Sequence, residues 1–420
     1  AQGETIIGAT VQAVHEPSGT RYAAVTNTNG RFTMQGMRNG GPYKVTISYV
    51  GYKDIIYRDI TLQLGEMYDL DANLNEDVNE LGEVVVTGKG SKFAIEKTGA
   101  TTNINQRMIT SLPSVNRSIS DIARLSPYAN GMGFAGGDGR STNFTIDGAN
   151  FNNNFGLSDK LPGGGSPISM DAIDEVQVVV SPFDVRQSNF IGGGINAVTK
   201  SGTNIFRATA YTYARSEYLR GNVVNGKDLG DRKKDRKNTY GFTFGGPIIK
   251  DRLFFFANVE YEKIPTVTNN WRASADGVAD AKNYFSRTTI ADMEAVRNFM
   301  LKNYGYDTGS YTSFPSDEDN LKILARIDWN ISQKHHLAVR FNHTNNTSWI
   351  PTNRSSSDVG TPFSGDRLSK FSMAFANSMY SMNNKVMSIS ADLNSRLGNN
   401  ISNQLLFTYS NIQDQRGSNS

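Results

Sequence analysis

The 420-residue chain has no cysteine, which excludes a disulfide framework and any thiolate metal site. Long apolar runs are missing too: the longest uninterrupted one, Leu253 to Ala257, falls far short of the roughly 20 residues a membrane-crossing helix needs. Any membrane role must therefore be carried by strands. Neither sign of charge dominates, with 43 Lys and Arg against 40 Asp and Glu, so nothing global favours nucleic acid or an acidic partner. The basic cluster at 231–237 reads as a solvated loop. Histidine is scarce: His335 and His336 fall in an expected turn and His343 near a strand end, and adjacent histidines in an extended chain point to opposite sides, which suits no single metal. Asp171, Asp174 and Glu175 read as a charged surface at the start of an extended run, and Asp138, Asp147 and Asn152 to Asn154 lack the spacing of a calcium loop. No nucleophile, base and orienting group can be assembled, so the sequence reads as a non-enzyme with no catalytic residue, metal or cofactor.

What is present is a succession of three textures. Residues 1–76 carry short strands, expected at 5–14, 23–27, 30–35, 43–50 and 54–64, with Asn29-Gly30 as a hairpin turn because a primed turn needs positive φ at both central residues. Regular short strands with turn signals point to a small β-sandwich. The opening Ala1-Gln2-Gly3, with no Met, suits a processed secretory product. Residues 93–204 mix two short helices with glycine-rich loops. Asn116 is the expected cap of a helix with Ile119, Ile122 and Leu125 on one face, and Phe144 to Ile146 runs into the turn Asp147-Gly148. This zone reads as an α+β unit.

From residue 205 the period becomes two over long strands. Leu321, Ile323, Ala325, Ile327, Trp329 and Ile331 hold one parity and Lys322, Leu324, Arg326, Asp328 and Asn330 the other; 253–261, 337–342, 387–393 and 405–409 behave alike. A soluble sandwich alternates too. Connection lengths decide, since short links near 246–251, 332–335 and 395–402 take turns with long ones near 219–237, 265–319 and 346–384. That asymmetry is the mark of a transmembrane β-barrel, where a Lys or Arg turned to mid-bilayer costs roughly 2 to 4 kcal/mol. About seven strands are expected, against about 22 in barrels that enclose a plug, so more strands should follow in the whole protein. A helix over 290–303, with Met293, Val296 and Met300 at helical spacing, is expected within one long loop.

Between the first two zones, in the linker 77–92, lies LGEVVVTGKG, residues 81–90. A phosphate-binding loop needs four residues between its glycines and Ser or Thr after the Lys, whereas here five residues separate Gly82 from Gly88 and Gly90 follows Lys89. The segment reads instead as a short exposed strand able to add to another protein's sheet edge; a strand built into one of its neighbouring domains is the alternative.

These segments carry resemblances. Thr26 to Phe32 with Tyr43 to Tyr52 resembles the carboxypeptidase-regulatory-like sandwich found ahead of many outer-membrane receptors of Bacteroidota, a name that implies no peptidase. Gly139 to Gly148 and Gly192 to Asn204 resemble the plug domain of TonB-dependent transporters. With 150–156 and 181–187 they are similar to its Oar-like branch. The plug signature falls on Gly139, Arg140, Asp147, Gly148, Gly193, Gly194, Asn196, Thr199 and Gly202. Glu83, Val84, Val85, Val86 and Thr87 resemble the TonB box, the coupling segment of that family.

The resemblance implies a mainly β protein: an N-terminal sandwich, an α+β plug, then the first strands of a large antiparallel barrel in the outer membrane. The sandwich would lie in the periplasm and the long loops outside. TonB and outer-membrane lipid are the implied partners; a surface lipoprotein, as in the related SusC branch, or other outer-membrane subunits are further ones. The implied activity is energised movement of a large or scarce substrate such as a peptide, protein or glycan. A non-transporting structural subunit with a plugged barrel is the alternative, and a secreted adhesin a more distant one. Asn150, Asn152, Asn153, Asn154, Gly163 and Gly164, with the loop 265–319, are the residues expected to face substrate.

Overall fold

The computed structural model describes residues 4–76, 84–87, 100–111, 114, 117–152, 161–180, 191–219, 221–228, 236–265, 271–315, 317–350, 368–397 and 401–418. Its N-terminal unit is one five-stranded sheet in the order β2-β1-β3-β4-β5, built from β1 (Thr10–His15), β2 (Thr20–Val25), β3 (Gly40–Ser48), β4 (Ile55–Leu62) and β5 (Val84–Thr87). Its first four strands pair antiparallel and β5 joins β4 in parallel. Val11, Ala13, Tyr43, Val45, Ile47, Ile55 and Tyr57 form the core. The second layer expected of a sandwich is supplied by chain that makes no ladder among the described residues: Phe32, Met34, Tyr68, Leu70, Ala72 and Leu74 pack over the sheet. Segment 67–74 still alternates exposed and half-buried residues, so it has a strand's face without a strand's pairing.

Two expectations for this unit need correction. Gly30 takes φ 67°, but Asn29 does not take positive φ, so the expected primed turn does not form, and no strand runs over 30–35. The Asn27 side chain explains this, because its Oδ1 accepts both Asn29 N and Arg31 N at 3.0 Å and closes a local loop instead of a ladder. The first hairpin is instead β1 with β2.

The second unit is a five-stranded sheet in the order β8-β7-β10-β9-β6. It comprises β6 (Ala100–Asn105), β7 (Asn143–Ile146), β8 (Ala149–Asn150), β9 (Ile173–Val180) and β10 (Gly193–Thr199), with helices α1 (Gln106–Ser111) and α2 (Ile119–Ala123). Helix α2 starts at Ser118, not at Asn116, which lies outside the described residues; Asp121 at the third position faces the Ser118 N–H at 3.5 Å. Ile119 and Ile122 are buried as expected, whereas Leu125 lies past the helix end and is exposed. Asp147 and Gly148, at φ 49° and 82°, make the two-residue primed turn between β7 and β8.

The third unit is a seven-stranded antiparallel sheet in sequence order: β11 (Arg207–Arg215), β12 (Lys237–Ile249), β13 (Leu253–Pro265), β14 (Asp317–Asn330), β15 (His335–Ile350), β16 (Tyr380–Arg396) and β17 (Ser402–Ser418). It does not close; β11 and β17 are its edges. Links at 250–252, 331–334 and 397–401 gather at one end, and those at 216–236, 266–316 and 351–379 at the other. His335 and His336 begin β15 instead of lying in a turn, since His335 already pairs with Ser395, and His343 sits in mid-strand. Helix α3 (Ile290–Tyr304) stands in the long loop, with Thr289 and Asp292 as its capping box and Gly305 at φ 63° ending it. Of its expected face only Met293 is buried, and Val296 is exposed.

Candidate plug and coupling sites

Burial along the third sheet inverts that of a soluble protein. On β14, Asn320, Lys322, Arg326 and Asp328 are buried while Ile327 and Trp329 are exposed; on β13, Asn258, Glu260 and Glu262 are buried while Val259 and Tyr261 are exposed. The charged parity faces the second unit. Apolar side chains on that parity, Phe256 and Leu324, join the second unit's core with Val386 of β16. Outside, Phe206, Phe244 and Phe255 cluster near the short-link end, with Phe244 and Phe255 ring centroids 5.1 Å apart. An outward apolar band with an aromatic rim is what a lipid-facing wall requires.

Two ionic clusters join the wall to the second unit. In the first, Lys322 Nζ reaches Glu260 Oε1 at 2.9 Å and Glu262 Oε2 at 3.0 Å, and Lys237 reaches Glu262 at 2.6 Å. The loop 161–169 of the second unit docks here: Lys322 donates to Ser166 Oγ, Ser169 Oγ donates to Glu260, and Asn342 and Thr344 donate to Pro167 O. Glu260 and Lys322 are direct cross-strand partners, so this part of the wall is nearly self-neutralised.

The second cluster is not. Arg326 and Arg340 stand directly opposite each other on β14 and β15, an arrangement that repels unless a carboxylate intervenes. Asp328 takes Arg326 in a bidentate pair at 2.9 and 2.8 Å. The remaining carboxylate comes from the second unit. Asp147, its side chain 2% exposed, places Oδ2 3.2 Å from Arg340 Nε and Oδ1 3.9 Å from Arg326 Nη1. Thr199 completes the lock: its N and Oγ1 donate to Asp147 at 3.0 and 2.6 Å, and its carbonyl accepts from Arg326 Nη1 at 2.6 Å. Asp147 and Thr199 end neighbouring stretches of the plug sheet, and the positive φ of the turn aims Asp147 at the wall.

The N-terminal unit sits at the short-link end. Arg38 reaches Asp328 Oδ1 at 3.2 Å, Asn330 donates to Thr20 Oγ1 at 2.9 Å, and Asn204 N donates to Pro17 O at 2.8 Å. Its hold on the plug runs through the Leu64 backbone, whose N–H donates to Glu175 at 3.1 Å and whose carbonyl accepts from Gln177 Nε2 at 2.6 Å. Burial raises the Glu175 carboxyl above its usual range, and the Leu64 N–H and Asn39 amide oppose the rise. Of the acidic group read as surface, Glu175 is thus a buried docking point, while Asp171 and Asp174 are half-buried and Asp171 pairs with Arg117.

The remaining signature positions serve packing. A Cβ on Gly202 would fall 2.4 Å from Phe255 O, and one on Gly193 would fall 2.9 Å from the Phe134 ring. Gly139 backs onto Met132 and Gly194 onto Asn143, Asn196 accepts from Thr145 Oγ1 at 2.7 Å, and Arg140 pairs with Asp138 on the surface. Of the positions expected to face substrate, Asn152 is committed internally, accepting Phe144 N at 2.6 Å and donating to Asn143 at 2.8 Å. Gly163 and Gly164, at φ 68° and 72°, lie against Thr344 and Asn346 of the wall. Asn150 is exposed; Asn153 and Asn154 lie outside the described residues. In the long loop, Glu294, Arg297, Asp307 and Tyr311 line an open cavity of about 280 Å³.

The valine segment takes the alternative place left open for it. Val84 to Thr87 form β5, paired in parallel with Ile55 to Arg58 at the edge of the N-terminal sheet; Glu83 lies outside the described residues.

The family model for an outer membrane beta barrel domain matches residues 198–420, more than half of the chain, and that for a carboxypeptidase regulatory-like domain matches residues 1–75. The chain belongs to the outer membrane beta barrel family. Its barrel sheet is thus an outer-membrane wall with the apolar parity toward lipid. The chain is 24% identical over 382 residues to the TonB-dependent transporter Oar of Myxococcus xanthus, covering 82% of itself and 34% of that protein. It therefore spans about a third of the length of this curated relative. Among solved structures it is similar to the siderophore receptor PirA of Acinetobacter baumannii (17% identity, 75% of this chain and 40% of that one, TM-score 0.46). The outer membrane transporter YddB of Escherichia coli is similar at 14% identity, 75% and 39% coverage and the same TM-score of 0.46. The proteins it resembles are transporters and receptors, not enzymes.

Proposed function

We propose that the chain is part of a TonB-dependent outer-membrane transporter, in which residues 93–204 close the barrel and residues 83–87 are the segment that TonB engages. The observation that carries this reading is the Arg326–Arg340 pair facing Asp147. A wall with two opposed cations is built to receive a carboxylate, and the carboxylate arrives on a separate folded unit that can be withdrawn. A plug welded by apolar contact alone would open only by exposing its core. One held by ion pairs and hydrogen bonds can exchange them for water as it moves.

In this reading TonB adds a strand to the coupling segment and pulls, and the load reaches the plug through the chain that enters β6. The substrate is a large or scarce solute of the peptide, protein or glycan class; the polar cavity at Glu294, Arg297, Asp307 and Tyr311 supports a hydrogen-bonding cargo. The test uses the full-length protein in outer membranes. Deleting 83–87 should leave insertion unchanged and abolish binding of the periplasmic domain of TonB; a deletion variant that binds as wild type does would reject the coupling role.

A further inference from the structure

We propose that the N-terminal unit is a detachable cap over the short-link end of the barrel, and that its Arg38 tightens the hold of Asp147 through Asp328. The inference deepens the function proposed above and rests on it, since it gives the plug a second control on its release. The cap touches the wall at or beside all three short links. A Cβ on Gly19 would fall 2.0 Å from Asp251 Oδ1, Asn330 donates to Thr20 Oγ1 at 2.9 Å, and Ser402 Oγ donates to Gln35 Oε1 at 2.5 Å. These contacts are polar. Whereas Phe256, Leu324 and Val386 of the wall share a core with the second unit, the N-terminal unit keeps a separate core of its own. Such a boundary can separate by exchanging its bonds for water.

Arg38 is aimed by the cap's own core. Its N–H donates to the buried Tyr22 Oη at 3.3 Å and its carbonyl accepts from the buried Tyr43 Oη at 2.6 Å. The guanidinium Nη2 is buried without a hydrogen-bond partner among the described residues, and what it faces is Asp328 Oδ1 at 3.2 Å. That oxygen is also 2.8 Å from Arg326 Nη2. With the contacts of Asp147 to Arg326 and Arg340, the sequence Arg38, Asp328, Arg326, Asp147, Arg340 alternates in sign from cap through wall to second unit. Each of the five side chains is at most 15% exposed, so solvent screens the series little. Removing the cap takes one cation from it. The positive potential at Asp147 then falls, and Asp328, left to Arg326 alone, competes harder with Asp147 for that guanidinium. Both effects have one sign: the docked cap holds the second unit closed. By linkage the closed second unit holds the cap to the same degree.

The test uses the purified full-length protein. Arg38→Met should speed amide exchange in β10 by about fivefold or more, the low end of coupling between two sites, while exchange in β1 and β3 stays as in wild type. Arg38→Lys, which keeps the cation, should recover most of the loss. In an Asp147→Asn background, Arg38→Met should change β10 exchange by less than about twofold, because the group it acts on is gone. Unchanged exchange in Arg38→Met overturns the proposal, and so does an equal rise in both backgrounds. The converse arm leaves Arg38 in place. The chain has no cysteine, so Thr20→Cys puts a single thiol at a position that is 2% exposed beneath Asn330. Adding Asp147→Asn should speed its labelling by a maleimide by a factor similar to that seen for Arg38→Met in β10, and unchanged labelling overturns the proposal even if Arg38→Met unfolds the cap. TonB enters neither measurement, so failure here leaves the coupling role to be judged by the 83–87 deletion alone.

Discussion

Replacing Asp147 with Asn tests whether the second unit is held to the wall by charge. The substitution keeps the shape, and Asn tolerates the left-handed φ of 49° that the turn demands, so backbone strain is not introduced. What is lost is one negative charge. Among the described residues Asp147 is the one carboxylate within ion-pair distance of Arg340, whereas Arg326 keeps its bidentate bond to Asp328. The cost therefore falls on Arg340 and on the restored repulsion across β14 and β15. Removing one partner of a buried pair costs about 3 to 5 kcal/mol. Because the Asn oxygen can still accept the Thr199 N–H, although its NH2 cannot accept the Thr199 hydroxyl, the lower end applies, about 3 kcal/mol, or on the order of 100-fold in the equilibrium for release of the second unit from the wall. The assay is amide hydrogen exchange in β10 of the purified full-length protein, with barrel amides as internal reference. Thr199→Val, which removes a hydroxyl bonded to a charged group, should cost about 2 kcal/mol. The double variant should fall short of the sum, since both changes break the same Thr199 to Asp147 bond. Exchange in Asp147→Asn within threefold of wild type would refute the lock.

Acid should loosen the N-terminal sheet. His15 is buried beside Ser18, Tyr43 and Arg38, and burial, helped by the Arg38 cation and opposed by Asp328, lowers its pKa to about 3. A folded-state value below the unfolded one of about 6.5 gives stability that is complete above pH 6.5 and lost as pH falls toward 3. At pH 5 the loss is about 2 kcal/mol, so exchange in β1 and β3, corrected for intrinsic rate, should show roughly 30-fold more opening than at pH 7.5. His15→Gln should flatten that dependence, and an equally steep response in the variant would assign it elsewhere. On the wall, Val259→Arg turns a cation to lipid and should cost about 2 to 4 kcal/mol, seen as a lower folded fraction in membranes, while Val259→Leu should fold as wild type does; normal assembly of the Arg variant would mean that this parity does not face lipid.

The wall was the most legible part of the sequence, because lipid imposes a rule on every second residue and leaves no room for exceptions at Ile327 or Val259. The same rule concealed the lock. Lys322, Arg326 and Asp328 counted only as members of the polar parity, and a wet lumen accepts any polar residue, so alternation cannot say which of them has a partner. Register was the missing quantity. Once β14 and β15 are aligned, Arg326 opposite Arg340 is an unbalanced pair and the need for an outside carboxylate follows.

The N-terminal unit was less legible for a related reason. Its second layer alternates like a strand along 67–74 but makes no ladder, and the Asn27 side chain takes the N–H groups that a hairpin at Asn29-Gly30 would have used. For the valine segment, three consecutive valines make a strand with no alternation to fix which face is buried, so it can serve any open edge. Composition alone could not choose between a partner's edge and the edge of β4, where the segment is found. Asp147 poses the complementary question: it holds the second unit to the wall by an ion pair with Arg340 and through its bonds from Thr199, contacts that water can replace.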